Sequence, residues 1–106
     1  MQIYDYLTAD GVNIFRKWLS SLRDTRAKDR ILRRLILLEF GGFGDCKPLR
    51  NGVWELRIDY GPGYRLYYGM IGNEIVLLLC GGDKRAQSRD ITTAIAYFED
   101  YKRRLP

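Results

Sequence analysis

The residues with chemistry to offer in this chain are arginines and lysines, interleaved with tyrosines in its C-terminal half. Arg57 and Arg65 fall in two neighbouring predicted strands, and Lys84 and Arg85 follow a third in Gly81-Gly-Asp-Lys-Arg85. Lys47 and Arg50 precede the first of these strands, and Arg89 lies early in the final helix. A guanidinium fork matches phosphate oxygens, and a ring such as Tyr67 can stack on or orient a base. That mixture suits single-stranded RNA. Each cation also has a plainer reading, since Arg57 can pair with Asp59 or Glu55, and Arg65 with Asp83, as ordinary surface ion pairs. The case rests on the cluster. Arg57, Arg65, Lys84 and Arg85 are the candidates for chemistry, and Lys47, Arg50, Tyr67 and Arg89 the candidates for holding RNA.

Composition narrows the chemistry further. The 106 residues hold 18 Lys and Arg against 13 Asp and Glu, a net charge of +5, which favours polyanionic partners. There is no histidine, so the commonest general base and the commonest metal ligand are both missing. Two cysteines without histidine are too few for a zinc site. No GxSxG and no phosphate loop ending in GK[ST] is present, and Gly61-Pro-Gly63 and Gly41-Gly-Phe-Gly44 read as turns. The expectation is chemistry without metal or cofactor. Cys80 ends an apolar run as a buried thiol, which fits a reducing compartment. Met1-Gln-Ile-Tyr-Asp-Tyr-Leu lacks the pattern of a secretory signal, and the longest apolar run, Ile75 to Cys80, is six residues. A cytoplasmic protein with no membrane contact is expected.

The elements that must position these cations follow from periodicity. Residues 2 to 7 read as a strand. Phe15, Trp18, Leu19 and Leu22 mark one face of a first helix ending near Arg23. Asp24 is the predicted N-cap of a second helix to about Phe40, with Ala27, Ile31, Leu35 and Leu38 as its core stripe and Gly41-Gly42 as its stop. Arg26, Arg30, Arg33 and Arg34 read as its solvated face. Strands are predicted over 53 to 59, 64 to 71 and 74 to 80, with a two-residue turn at Gly72-Asn73 and Gly81-Gly82 ending the last. A final helix from about Gln87 to Arg104 carries the stripe Ile91, Ala94, Ile95, Phe98 and Leu105. Tyr4, Tyr6, Tyr97 and Tyr101 read as packing residues. The order is β-α-α-β-β-β-α, a single α+β domain over 1–106 with an antiparallel-rich sheet packed by an N-terminal helical hairpin and a C-terminal helix.

Register decides which side chains meet, because a one-residue slip moves every side chain to the other face. Burying Trp54, Leu56 and Ile58 beside Leu66 and Tyr68 places Arg57, Asp59, Arg65 and Tyr67 together on the opposite face. The Gly72-Asn73 turn pairs Ile71 with Glu74 and Arg65 with Cys80, so Val76 and Leu78 are expected to floor an open groove edged by arginines.

These residues resemble a known family. Lys47-Pro-Leu, then Glu55-Leu-Arg-Ile-Asp-Tyr-Gly-Pro-Gly-Tyr-Arg-Leu-Tyr-Tyr68, then Ile75 through Cys-Gly-Gly-Asp-Lys84, is similar to the RelE/ParE toxin superfamily. Within it, the chain looks like the HigB-like branch of addiction-module killer proteins. The resemblance implies a type II toxin of a toxin–antitoxin system that cleaves mRNA in the ribosomal A site without a metal and so inhibits translation. The 2′-hydroxyl attacks the adjacent phosphorus, leaving a cyclic phosphate. Matching positions are Arg57, Arg65 and Arg85, with Lys84 adjacent. Arg65 would hold the scissile phosphate, Arg85 or Lys84 would neutralise or protonate the leaving group, and Arg57 would ease 2′-hydroxyl deprotonation by its charge. Two departures stand out: Glu55 replaces a lysine of RelE, and Ile91 falls near a functional tyrosine.

Two alternatives share the fold: a ParE-like inhibitor of DNA gyrase, suggested by the missing acid–base residues, and a catalytically inactive binding module. The expected partners are mRNA, the ribosome and a cognate antitoxin. The resemblance makes that antitoxin a helix-turn-helix protein, and an acidic or amphipathic segment laid across the basic groove is its expected contact.

Overall fold

The computed structural model describes residues 1–106 and contains one mixed five-stranded sheet with helices on both faces. The elements in chain order are β1 (Gln2–Asp5), α1 (Ile14–Ser21), α2 (Thr25–Glu39), β2 (Cys46–Pro48), β3 (Val53–Ile58), β4 (Tyr64–Ile71), β5 (Ile75–Asp83), a short 3₁₀ turn (Lys84–Ala86) and α3 (Gln87–Arg103). The spatial order is β1-β5-β4-β3-β2, with β1 parallel to β5 and the other neighbours antiparallel. No helix is long and apolar enough to cross a membrane.

The helical hairpin forms where its pattern places it. Asn13 caps α1 by accepting from the Arg16 amide, and Asp24 caps α2 by accepting from the amides of Arg26 and Ala27. Such a cap contributes about 1 kcal/mol. Ala27, Ile31, Leu35 and Leu38 are buried against Leu56, Ile58, Leu66, Tyr68, Val76 and Leu78 of the sheet, with Phe15 and Leu19 of α1. The supposedly wet stripe of α2 is only partly so. Arg34 turns inward and donates to the carbonyls of Arg57 (2.7 Å) and Phe43 (3.2 Å), and Arg30 lies over the Tyr60 ring at 4.4 Å.

The other face is covered by α3, through Ala94 and Phe98 packed on Val53, Tyr67, Leu77, Leu79 and Cys80. Leu105 lies beyond α3 and is half exposed instead of completing its stripe. Gly69 and Gly52 admit the Phe98 ring, which a Cβ at either position would strike. Tyr6 stacks on Tyr97 at 5.1 Å and donates to Asp100 at 2.6 Å, whereas Tyr4 is half exposed.

Three expectations about the sheet are corrected. An extra edge strand, β2, pairs with β3; its three residues, ending in proline, are too short for a period-2 signal. β5 continues through Gly81-Gly82 to Asp83, because these glycines make room where the helices cross: a Cβ would overlap the Trp18 ring at Gly81 and the Asp90 carboxylate at Gly82. The β4–β5 turn holds three residues, so Ile71 pairs with Ile75, and a bulge between Tyr67 and Tyr68 shifts the register again. Arg65 therefore faces Gly82 rather than Cys80, and Val76 and Leu78 lie under the hairpin. They do not floor an open groove. The β3–β4 register is the expected one, with Trp54 opposite Tyr68, Leu56 opposite Leu66 and Arg57 opposite Arg65.

Buried phenols make the fold sensitive to alkali. Burial, and next the hydrogen bond to Asp100, push the Tyr6 phenol from 10.0 up to about 12, and burial pushes Tyr67 and Tyr68 up as well. A raised folded pKa gives stability that is complete below the unfolded value of 10.0 and lost as pH rises through the folded one. Denaturation midpoints should thus fall steadily above pH 10, and Tyr6→Phe should flatten part of that slope. Equal slopes for the two proteins would remove Tyr6 from the account.

Candidate functional site

The regular geometry of an antiparallel pair sets two guanidinium stems side by side. Arg57 of β3 and Arg65 of β4 are directly opposed, on the face that α3 covers, near the end of the strands where the Asp59-to-Gly63 connection turns. Opposed residues of this kind have Cβ atoms about 5 Å apart, and like charges there repel. Gly63, at φ 83°, closes the connection, and its carbonyl accepts from the Lys84 amide at 2.7 Å. That bond ties the β3–β4 connection to the start of the 3₁₀ turn. Lys84 thereby joins Arg57 and Arg65 in a cleft of about 330 Å³, shared with Asp45, Asp59, Gly61, Pro62 and Gly63.

Each cation is held differently. Arg57 donates from Nε to Glu55 Oε1 at 3.0 Å; its carbonyl accepts from Arg34, and its backbone N–H donates to the Asp45 carbonyl at 2.9 Å. Of its two plain pairings, the one with Glu55 forms. Arg65 donates from Nη1 to the Tyr64 carbonyl at 3.1 Å, and its Nε is buried without a partner. Its supposed partner Asp83 instead holds Arg85, at 3.0 Å. The Asp83 carboxyl is held below its usual range, first by the hydrogen bond from Arg85.

Glu55, expected only as an ordinary surface partner of Arg57, lies instead in the interior. It is fully buried, the one acidic side chain of the chain so placed. Gln87, at the first turn of α3, donates to Oε2 at 2.8 Å while Arg57 holds Oε1. Burial alone would push its carboxyl up; the bonds from Gln87 and Arg57, with the charges of Arg57 and Arg65, outweigh it and bring it down. The signal was legible in part: Glu55 precedes Arg57 by two residues and shares its face of one strand, and an acid facing α3 needs a donor on that helix.

The remaining candidates divide. Lys47 of β2 is exposed and pairs in register with Glu55, which places it on the edge strand beside the site. Arg85 and Arg89 line a separate hollow with Asp83, Ala86 and Ser88, and both are largely exposed. Arg50 is exposed in the connection between β2 and β3, at the end of β3 away from Arg57. Tyr67 is corrected outright: its ring is fully buried beneath α3, among Val53, Leu79 and Ala94, so it has no face free to stack on or orient a base.

In chemical terms, the cleft offers two guanidinium groups and an ammonium to an anion, with Asp45 and Asp59 as carboxylates on its walls. It resembles a grip for a phosphate more than a pocket for an apolar ligand. Residues 17–99 match the family model of the phage-derived protein Gp49-like family. The chain belongs to that family. It is a RelE-like toxin family of the addiction-module context. An uncharacterized protein of Haemophilus influenzae is 50% identical over 80 residues, covering 76% of this chain and 81% of the relative. The matched family region takes in Arg57, Arg65 and Lys84 together with Glu55 and Gln87.

Proposed function

We propose that this Gp49-like protein is the toxin of a type II toxin–antitoxin pair, of the HigB-like kind, and that it cuts mRNA on the ribosome, in the cytoplasm, without a metal ion. The observation that carries the reading is the convergence of Arg57, Arg65 and Lys84 on one cleft. In this scheme the 2′-oxygen of a nucleotide attacks the adjacent phosphorus and the bond from phosphorus to the 5′-oxygen breaks. One fragment ends in a 2′,3′-cyclic phosphate and the other begins with a 5′-hydroxyl. Arg65 holds the phosphate, Arg57 neutralises the negative charge gained in the transition state, and Lys84 gives the 5′-oxygen its proton. The 2′-hydroxyl proton passes to a carboxylate of the cleft wall, Asp45 or Asp59, in a site without histidine. Arg85 is engaged by Asp83, so it serves with Arg89 and Lys47 in holding flanking phosphates. Such a set of groups is weak in proton transfer, and orientation of the message by the ribosome supplies what it lacks.

The test is RNA sequencing of cleavage ends after brief induction, beside Arg65→Ala. Codon-biased cuts within translated messages, absent from the variant, are expected. Intact messages in arrested cells, with gyrase supercoiling inhibited, would transfer the activity to gyrase.

An antitoxin belongs to the same reading. An apolar surface open to a partner runs along α2 and its C-cap, where Leu32, Ile36, Leu37 and Phe40 are all exposed. Arg26 and Arg33 lie exposed on the same helix, so an acidic amphipathic segment of the antitoxin is the complementary partner. Ile36→Asp with Phe40→Asp should weaken the complex at least about tenfold, since apolar anchors dominate such interfaces, and leave the free protein folded. Titration calorimetry with the cognate antitoxin, to be sought in the adjacent reading frame, measures it; unchanged affinity would move the contact elsewhere.

A further inference from the structure

We infer that Glu55 is a positioning residue, whose buried carboxylate aims Arg57 at the phosphate cleft and holds it there against the repulsion of Arg65. The inference deepens the RNA-cleaving reading and rests on it.

Two cations in register on adjacent strands repel, and nothing about strand pairing keeps them pointed the same way. Glu55 supplies that constraint. It precedes Arg57 by two residues, so both side chains emerge on the same face of β3. Its carboxylate takes Arg57 at Nε and leaves the two Nη groups of the fork unclaimed by any side chain. The other carboxylate oxygen takes the Gln87 amide, which roots the arrangement in α3. A buried ion pair is a weak device for stability alone, because desolvation offsets most of the attraction. As an orienting device it is apt: it fixes a planar fork with one bond and spends none of the donors that face the cleft.

Glu55→Gln separates orientation from charge. The amide keeps the size of the carboxyl but carries an acceptor on only one side. Arg57 Nε and Gln87 Nε2 both donate to this group in the wild type; in the variant Gln87 can turn its own amide oxygen to the new NH₂, so what Arg57 loses is the charge-assisted bond, leaving a neutral and weaker one. Arg57 is held less firmly, yet a negative charge beside the RNA is removed. Positioning therefore predicts opposite changes in two quantities. Binding of a single-stranded RNA oligonucleotide should stay equal or tighten, while single-turnover cleavage on programmed ribosomes should fall about tenfold to a hundredfold, the scale of a misplaced catalytic group. Adding Gln87→Glu returns a carboxylate to the pair, lets the amide NH₂ at position 55 donate to it, and turns the amide oxygen to Arg57. Much of the cleavage rate should return.

The Arg57 Nε–H resonance in nitrogen-edited NMR reads the geometry without any RNA. It should exchange slowly with solvent in the wild type, quickly in Glu55→Gln, and slowly again in the double variant. Exchange in the wild type as fast as that of exposed Arg26 would overturn the inference, whatever the cleavage assay reports. So would a Glu55→Gln protein that cleaves at full rate while Arg65→Ala is dead. Activity retained by Arg65→Ala would instead sink the RNA-cleaving reading of the cleft, and the NMR comparison would still decide the role of Glu55.

Discussion

Arg65→Ala is expected to lower mRNA cleavage by roughly 10²- to 10³-fold, the usual scale for removing one group that stabilises charge developing in a transition state. The same substitution should leave the fold intact or slightly firmer. Arg65 makes one hydrogen bond from its side chain, to the carbonyl of its own neighbour Tyr64, and buries its Nε with no partner at all. Leaving a buried donor unmade costs about 1–3 kcal/mol, so deleting the whole side chain removes that penalty. It also removes the repulsion with Arg57 across the strand pair. Residues that break a local rule at a cost in stability are expected at functional sites. Arg65→Lys makes a useful companion, because it keeps the charge and loses the fork; an intermediate rate would show that the planar two-donor geometry matters. The measurements are single-turnover cleavage on programmed ribosomes and thermal unfolding of the same preparations. A variant that cleaves within about threefold of the wild type, or one that loses several degrees of Tm, contradicts this account of Arg65.

The parts of the fold legible in the sequence are those set by local periodicity. Ala27, Ile31, Leu35 and Leu38 repeat at helical spacing and are buried together, and Asp24 caps the helix that carries them. The β3–β4 register was legible too, because Trp54, Leu56 and Ile58 alternate with charged residues and only one pairing buries them beside Leu66 and Tyr68. β5 was not. Its residues 75 to 80 are apolar without interruption, so alternation says nothing about which face each occupies. A three-residue turn and a bulge then reverse the assignment that a two-residue turn would give. Gly81-Gly82 misled for a related reason. Glycine marks a turn when judged alone, but here it marks the places where Trp18 and Asp90 press on the strand. Trp18 is remote in the chain, and Asp90 meets the strand only because α3 folds back over it.

The site was legible to the same depth. Arg57 and Arg65 follow from the β3–β4 register, and Lys84 from the turn that ends the next strand. Glu55, Gln87 and Arg34 were not read as part of it, since their roles depend on how α2 and α3 lie against the sheet. Tyr67 illustrates the same limit from the other side: its strand position puts it beside Arg65, and only the placement of α3 buries it. What local pattern supplies is the row of charges. Tertiary packing decides which of them keep a free face.

That dependence on α3 leads to a prediction far from the cleft. Phe98→Ala should cost about 3–5 kcal/mol of stability, the range for truncating a buried phenylalanine. Phe98 is 4% exposed and its ring fills the space left by Gly69 of β4 and Gly52 before β3. No side chain at either glycine can close the cavity, and the strands are tied to one another by ladder bonds, so the site collapses poorly and the cost should fall at the upper end. In a domain of this size, roughly 4–8 °C of Tm accompany each kcal/mol, so a loss on the order of 15–30 °C is expected by calorimetry. The effect should reach the cleft in a specific way. α3 begins at Gln87, which anchors Glu55, and follows directly on Lys84. Loosening its far end at Phe98 frees the helix to shift before the sheet melts, so cleavage in Phe98→Ala should decline at temperatures where the sheet amides are still protected from hydrogen exchange. Phe15→Ala, on the opposite face beneath the hairpin, should cost comparable stability because Phe15 is fully buried. It touches neither Gln87 nor Lys84, so its activity should hold until global unfolding. Parallel loss of activity and structure in both variants would show that α3 has no privileged hold on the cleft.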